Sequence, residues 1–343
     1  MGISFSVVVI TYKRREYLTR AVKSVLRQDY PMEDVQIVVV KAFIDHDIDR
    51  FLFEKNIETV FSDSEDYGKS LSDALLFCKG DVICLLDDDD LFAVNKLRIL
   101  SERYSADPEI AASVNSYAVV DSTDGIAESY FGREERSRQI SSGFRVWKYP
   151  DYELDTMILE LNMLFNSSRI SFKRELIADM IDLSKDISYM VDILPVTLAI
   201  THKKAVASIP EQLTMYRIHS DNISISTDLK NRESKLLLSH KRIRNDCSAL
   251  ENYFCGKIIG LSYFFRLWKL MESLKIAMLE GSRKDIIHSL RNFVIAMLKH
   301  HSSLDAYRSR LFTIKTISIN IVFSPLFLTS RRIALILRFV FPF

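Results

Sequence analysis

Through the first hundred residues, short apolar runs alternate with amphipathic stretches. Val7-Val8-Val9-Ile10 is a continuous β-branched run, and residues 35–40 repeat the type. Such runs predict strands of a parallel sheet buried on both faces. Between them, residues 16–28 place Leu18, Ala21, Val22, Val25 and Leu26 at helical spacing. Residues 45–55 predict a short helix and residues 57–61 a third strand. Residues 68–78 predict a helix closed by Gly80 as a C-terminal glycine. Val82-Ile83-Cys84-Leu85-Leu86 then reads as a fourth buried strand, and it runs straight into Asp87-Asp88-Asp89-Asp90. Strand and helix alternating in this way imply a parallel α/β sheet with right-handed crossovers.

Further along, residues 110–120 predict one or two strands. Residues 122–149 are polar and charged and read as a mobile loop over the site. Residues 155–165 and 174–183 predict helices, and residues 188–200 a helix kinked at Pro195. Residues 205–209 and 213–219 predict two strands. From residue 228 the pattern is helical, and residues 264–279 and 283–299 form an expected helical hairpin joined at Gly281-Ser282. The division expected is therefore 1–227 for an α/β domain and 228–343 for a helical extension.

The carboxylate block is the feature that carries chemistry. Ligands in open α/β sheets bind at the carboxyl ends of strands. Four adjacent carboxylates repel one another, and their oxygens are the ligands that Mg²⁺ and Mn²⁺ prefer, a metal that commonly also holds substrate phosphates. Asp87 and Asp89, two apart, would point to one side of an extended chain, with Asp88 opposite. Asp90 has a second reading as the cap of a helix over residues 91–97.

Composition sharpens the picture at the C-terminus. The net charge is +1, but from Arg283 to Phe343 there are ten Lys/Arg against two Asp/Glu. Residues 316–330 hold no charge, and Arg331, Arg332 and Arg338 interrupt a second apolar patch. A spanning helix needs roughly 20 apolar residues, so the tail fits peripheral association with a membrane surface. The N-terminus lacks the pattern of a signal peptide, which suggests the cytoplasmic face of the membrane. Cys78 and Cys84 read as reduced core residues. Nothing points to a nucleic-acid partner.

Three groups of residues together resemble a known family. They are the first strand ending in Thr11-Tyr12-Lys13-Arg14, the helix ending in Ser24-Val25-Leu26-Arg27-Gln28, and Gly80-Asp81-Val82-Ile83 leading into Leu86-Asp87-Asp88-Asp89-Asp90. With Asp192 and Tyr216-Arg217-Ile218-His219, the stretch over about residues 4–225 resembles the family 2 glycosyltransferases of GT-A fold, a Rossmann-like, mostly parallel α/β sheet. The resemblance implies an enzyme that moves a sugar from a nucleotide-sugar to an acceptor hydroxyl, with Mg²⁺ or Mn²⁺ as cofactor. The tail suggests a polyprenyl-linked or cell-surface glycan as acceptor.

By position, the resemblance implies donor contacts at Thr11, Tyr12, Arg14, Asp87, Asp88 and Arg217. Arg14 has a second reading as a solvated helix-start residue. Asp87-Asp88-Asp89 is the DXD position, so Asp89, Asp87 and His219 are the implied metal ligands. Asp192 matches the placement of the catalytic base, with Asp186 as its rival and as a helix cap. The chain departs from the family where two carboxylates usually follow the second strand: Lys41 and Ala42 stand there, leaving Asp45 or Asp47 to read the base. Leu71-Ser72 replaces an Arg-Asn pair, leaving Lys69 as the phosphate partner.

A sugar-phosphate nucleotidyltransferase is the alternative enzyme class. It requires a glycine-rich loop after the first strand, and residues 11–15 contain no glycine. A non-catalytic membrane adaptor has no use for the costly carboxylate block.

Overall fold

A computed structural model describes residues 2–11, 14–64, 66–127, 143–151, 166–219 and 229–299. The first half follows the expected alternation: β1 (Phe5–Ile10), α1 (Leu18–Leu26), β2 (Val35–Lys41), α2 (His46–Glu54), β3 (Glu58–Phe61), α3 (Tyr67–Leu75) and β4 (Val82–Asp87). Strands β3, β2, β1 and β4 lie side by side and parallel. Their alternation splits the core in two. Val7, Val9, Cys84 and Leu86 pack with Leu18 and Val22 of α1, whereas Val8, Ile10, Ile83 and Leu85 pack with Leu71 and Leu75 of α3. A period of two on a sheet covered on both sides requires this continuous apolar sequence.

Beyond β4 the sheet becomes mixed. After β5 (Leu91–Phe92), α4 (Lys96–Ala106), β6 (Ile110–Val120) and β7 (Arg145–Trp147), strand β8 (Ile170–Lys173) enters between β4 and β6 and pairs antiparallel with both. Helices α5 (Ile177–Ser184) and α6 (Leu194–Thr201) precede β9 (Ala205–Arg217), which pairs with β5, β6 and β7. The helices α7 (Leu229–Phe254), α8 (Ile259–Glu280) and α9 (Arg283–Lys299) complete the described chain. Cys247, Leu250 and Phe254 of α7 and Leu261 and Phe265 of α8 join the same core cluster as β1 and α3, so the helical region docks on the sheet domain.

Several expectations are corrected. Residues 91–97 are not one helix: Leu91 and Phe92 pair with β9 before α4 begins. Residues 205–217 form one strand instead of two, because Pro210 falls among register shifts against β6, where no amide is required. Pro195 does not kink a helix but stands in the first turn of α6, where its missing N–H costs nothing. Nor does Gly80 end α3, which closes at Leu75. A Cβ on Gly80 would lie 2.4 Å from the Phe5 carbonyl carbon and the Ser6 nitrogen, so glycine lets two backbones touch there. Asp186 caps no helix but lies exposed just after α5.

The predicted helix over 155–165 and most of the predicted loop fall outside the described residues, as does the tail from residue 300. Among the described residues, no helix is long and apolar enough to cross a membrane.

Candidate active site

Strand β4 delivers Asp87 beside Ile10 of β1, and the chain turns at once, with the Asp90 amide donating to the Asp87 carbonyl at 3.1 Å. The turn, in place of continued extension, gathers oxygens of Asp87, Asp89 and Asp90 within 4.8 Å of one another. Asp88 is not in that group and meets Arg14 at 2.6 Å. The same guanidinium reaches Asp89 at 2.6 Å and His219 Nε2 at 3.1 Å. Arg14 is thus not a solvated helix-start residue, and α1 begins four positions later.

Each carboxylate is held differently. Tyr67 and Ser167 both donate to Oδ1 of Asp87, at 3.1 and 2.5 Å. Arg14 and His219 both meet Oδ2 of Asp89, the histidine at 3.0 Å. Each of these carboxylates therefore keeps its second oxygen clear of these contacts. Asp90 has both oxygens engaged: Oδ2 accepts from Asn166 at 2.6 Å and Ser168 at 2.7 Å, and Oδ1 from the Arg217 amide at 3.0 Å. It is 1% exposed and acts as a buried anchor of the turn, not as a helix cap. Burial, then the charges of Asp89 and Asp87, push the Asp90 carboxyl well above the usual range. Burial and Asp89 raise Asp87 likewise.

Beneath the turn, two cations are wholly enclosed. Arg217 donates to the Asp89 carbonyl at 2.7 Å, pairs with Asp124 at 2.5 Å and lies over the Tyr17 ring. Lys96 donates to the Ser168 carbonyl at 2.6 Å and to Thr214 at 3.2 Å, over the face of Phe92. Burial pulls its pKa down to about 7.

Asp192 lies in a short 3-10 turn (Val191–Ile193) just before α6. Burial and the charge of Asp87 drive its carboxyl well above the usual range, with Arg169 opposing. A general base of raised pKa is a stronger proton acceptor once ionised.

The remaining candidates divide. Thr11 is buried at the end of β1 and donates to the Arg14 carbonyl at 2.7 Å, bracing the loop that carries Arg14. Tyr12 lies outside the described residues. Lys69 is exposed on α3, 3.8 Å from Asp66, and is not brought to the turn by any described contact. Lys41 is buried, with its ammonium 2.8 Å from Asp49 and 2.6 Å from the Phe43 carbonyl. Asp45 caps α2 through the amides of Asp47 and Ile48, and Asp47 is exposed.

Reading the sequence missed Tyr67, Lys96 and the Asn166-Ser167-Ser168 triplet. The triplet's polarity, set one residue before the apolar start of β8, was the one available signal. Hard carboxylate oxygens converge here without thiolates, a donor set that suits Mg²⁺ or Mn²⁺. Asp87 and Asp89, each with an oxygen clear of contacts among the described residues, fit the ligand role better than Asp90.

No curated protein matches the chain. Its fold is similar to that of S. aureus TarS 1–349 in complex with UDP-GlcNAc, with a TM-score of 0.54 at 14% identity over 92% of this chain and 91% of that one. It is also similar to the mannosyltransferase PcManGT from Pyrobaculum calidifontis in complex with GDP-Man and Mn²⁺, with a TM-score of 0.50 at 13% identity over 94% and 88%. At such identities the likeness is one of fold. Residues 6–179 match the profile of Glycosyl transferase family 2, a span that holds the carboxylate turn and stops short of Asp192 and His219. With half its length so matched and a GT-A fold around the turn, the chain belongs to glycosyl transferase family 2 and is a glycosyltransferase.

Proposed function

We propose that the enzyme is an inverting, metal-dependent glycosyltransferase. It moves a sugar from a nucleotide-sugar to an acceptor hydroxyl. The observation that carries this reading is the gathering of oxygens of Asp87, Asp89 and Asp90 within 4.8 Å at the end of β4, in a chain of glycosyl transferase family 2.

In this reading Asp87 and Asp89 hold Mg²⁺ or Mn²⁺, and His219 orients Asp89. The cation, when bound, offsets the negative charge that the diphosphate gains on leaving. Asp192 takes the proton from the acceptor hydroxyl as its oxygen bonds to the anomeric carbon. The bond from that carbon to the diphosphate breaks on the opposite face, so the anomeric centre inverts. Arg14 adds positive charge on the donor side, Thr11, Tyr12 and Asp88 complete the donor contacts, and Arg217, enclosed and paired with Asp124, braces the turn from beneath instead of meeting the donor. Tyr67 keeps Asp87 oriented toward the cation. The neighbours' UDP-GlcNAc and GDP-Man support a nucleotide-sugar donor.

The GT-A domain is residues 1–227, and residues 228–343 form a C-terminal region whose described part, α7 to α9, is helical. Its basic, apolar tail suits peripheral association at the cytoplasmic face of a membrane, with a polyprenyl-linked or cell-surface glycan as acceptor.

The test is to incubate the protein with Mn²⁺ and a panel of UDP- and GDP-linked sugars. Slow release of nucleoside diphosphate from one of them is expected. Asp192→Asn should lower that turnover by about 10²- to 10⁴-fold, the usual worth of a general base, and leave donor binding intact. Unchanged turnover would remove Asp192 as the base.

A further inference from the structure

Asp246 is a buried carboxylate that the mechanism above does not use. It sits on α7, 2% exposed. Its Oδ2 accepts from the amides of Tyr189 at 2.7 Å and Met190 at 2.8 Å. Its Oδ1 accepts from the amide of Ser188 at 3.1 Å and from the Ser188 hydroxyl at 3.4 Å. Three consecutive amides are thus gathered by one carboxylate that lies more than fifty residues away in sequence. Among the described residues it has no ion-pair partner. An ionised carboxylate without a cation is costly to bury, and several amide donors are what offsets the cost.

The segment it grips leads directly into the turn that carries Asp192. Met190 precedes that turn, and its amide is one of the three. The opposite side of the segment is pinned as well. A Cβ on Gly68 of α3 would fall 1.9 Å from the Ile187 carbonyl oxygen and 2.1 Å from that of Ser184. Ile187, Met190, Val191 and Ile193 share a core cluster with Cys247, Leu250 and Phe254 of α7. The approach to Asp192 is therefore clamped between the sheet domain and the helical extension.

We infer that Asp246 is a positioning residue for the catalytic base: it fixes the backbone that aims Asp192, and makes the docked α7 helix a condition of turnover. This rests on the reading of Asp192 as the base. Misplacing a reacting group by about 1 Å costs on the order of 10²-fold, so the effect belongs in kcat and not in donor affinity.

The experiment uses the full chain and the UDP- or GDP-linked sugar selected by the panel above, with Mn²⁺ and water as acceptor. Asp246→Asn keeps the shape but turns an acceptor into a donor facing amides. Asp246→Glu keeps the charge but lengthens the reach, and serves if the asparagine variant does not fold. Both are expected to lower kcat by about 10- to 100-fold, with donor KM near the wild-type value. The acidic limb of the pH–kcat profile should also move, because the charges of Asp87 and Arg169 act on the Asp192 carboxyl, whose own charge acts on Tyr67 and Tyr189. Hydrogen exchange at the amides of residues 188–193 should accelerate.

A merely structural role would lower the unfolding midpoint and leave kcat and the acidic limb of the folded protein unmoved, and that result overturns the inference. If Asp192→Asn turns over normally, the base reading fails first, and the inference falls with it. If Asp192→Asn is inactive while both Asp246 variants match the wild type, positioning alone fails.

Discussion

Removing the Arg14 guanidinium tests how this turn admits a cation. Arg14 lies 2.6 Å from both Asp88 and Asp89, and its side chain is 34% exposed against 4% and 12% for theirs. Deleting one partner of a fully buried pair costs about 3–5 kcal/mol, and exposed pairs are worth about 0–1. An intermediate site implies about 1–3 kcal/mol of pairing that a divalent ion must displace at Asp89. At 1.4 kcal/mol per tenfold, Arg14→Gln should bind Mn²⁺ about 5- to 150-fold more tightly in the absence of nucleotide. A bound ion stabilises the fold in proportion to the logarithm of its occupancy. The assay is therefore thermal unfolding of both proteins with and without equal Mn²⁺. Arg14→Gln should unfold at a lower temperature without the ion and gain more from it. An equal or smaller gain than in the wild type would refute the competition, and would mean that Arg14 supports the cation.

Lys96 links stability to pH. Its pKa is about 7 in the fold against about 10.4 in an unfolded chain. The unfolded state then binds more protons between those values, so stability should rise with pH from about 7 to about 10. The penalty is fully present below that window. At about 1.36 kcal/mol per unit it is on the order of 5 kcal/mol, and urea midpoints of wild type and Lys96→Met should converge as the pH rises; parallel curves would contradict this. Gly68→Ala sets two effects against each other. Alanine gains up to about 1 kcal/mol of helix propensity, but its Cβ meets backbone oxygens that cannot yield, an overpacking cost of about 1–3 kcal/mol or more. Net destabilisation in urea with reduced turnover is expected, and a variant as stable as the wild type would show that the segment yields.

What was legible in the sequence was local. The strands β1, β2 and β4 announce themselves because burial on both faces demands unbroken apolar runs, and the acidic turn follows one of them without a gap. Asp192 was singled out through a resemblance. Its surroundings were not legible: Ser167 meets Asp87 across 80 positions, and Asp246 meets Met190 across 56. No periodicity encodes such pairings. The helix expected after Asp90 failed for a related reason. Leu91 and Phe92 suit a helix as well as a strand, and β9, more than a hundred residues later, decides the matter. Arg14 looked like a solvent-facing residue because its partners, too, are set by the sheet and not by its neighbours.

Strand β9 carries a last consequence. Between Ile209 and Thr214 it takes up extra residues against β6, then regains its pairing and ends at Arg217. Side chains on a pleat point alternately to either side. The excess is absorbed in that irregular stretch, because bulged residues are left out of the ladder. The side to which Arg217 turns is instead set by the regained pairing of Thr214 to Arg217 with Tyr117 to Val120. A change of length among residues 210–213 can therefore be taken up before the arginine is reached, whereas a slip after Thr214 would turn it away from the Asp89 carbonyl.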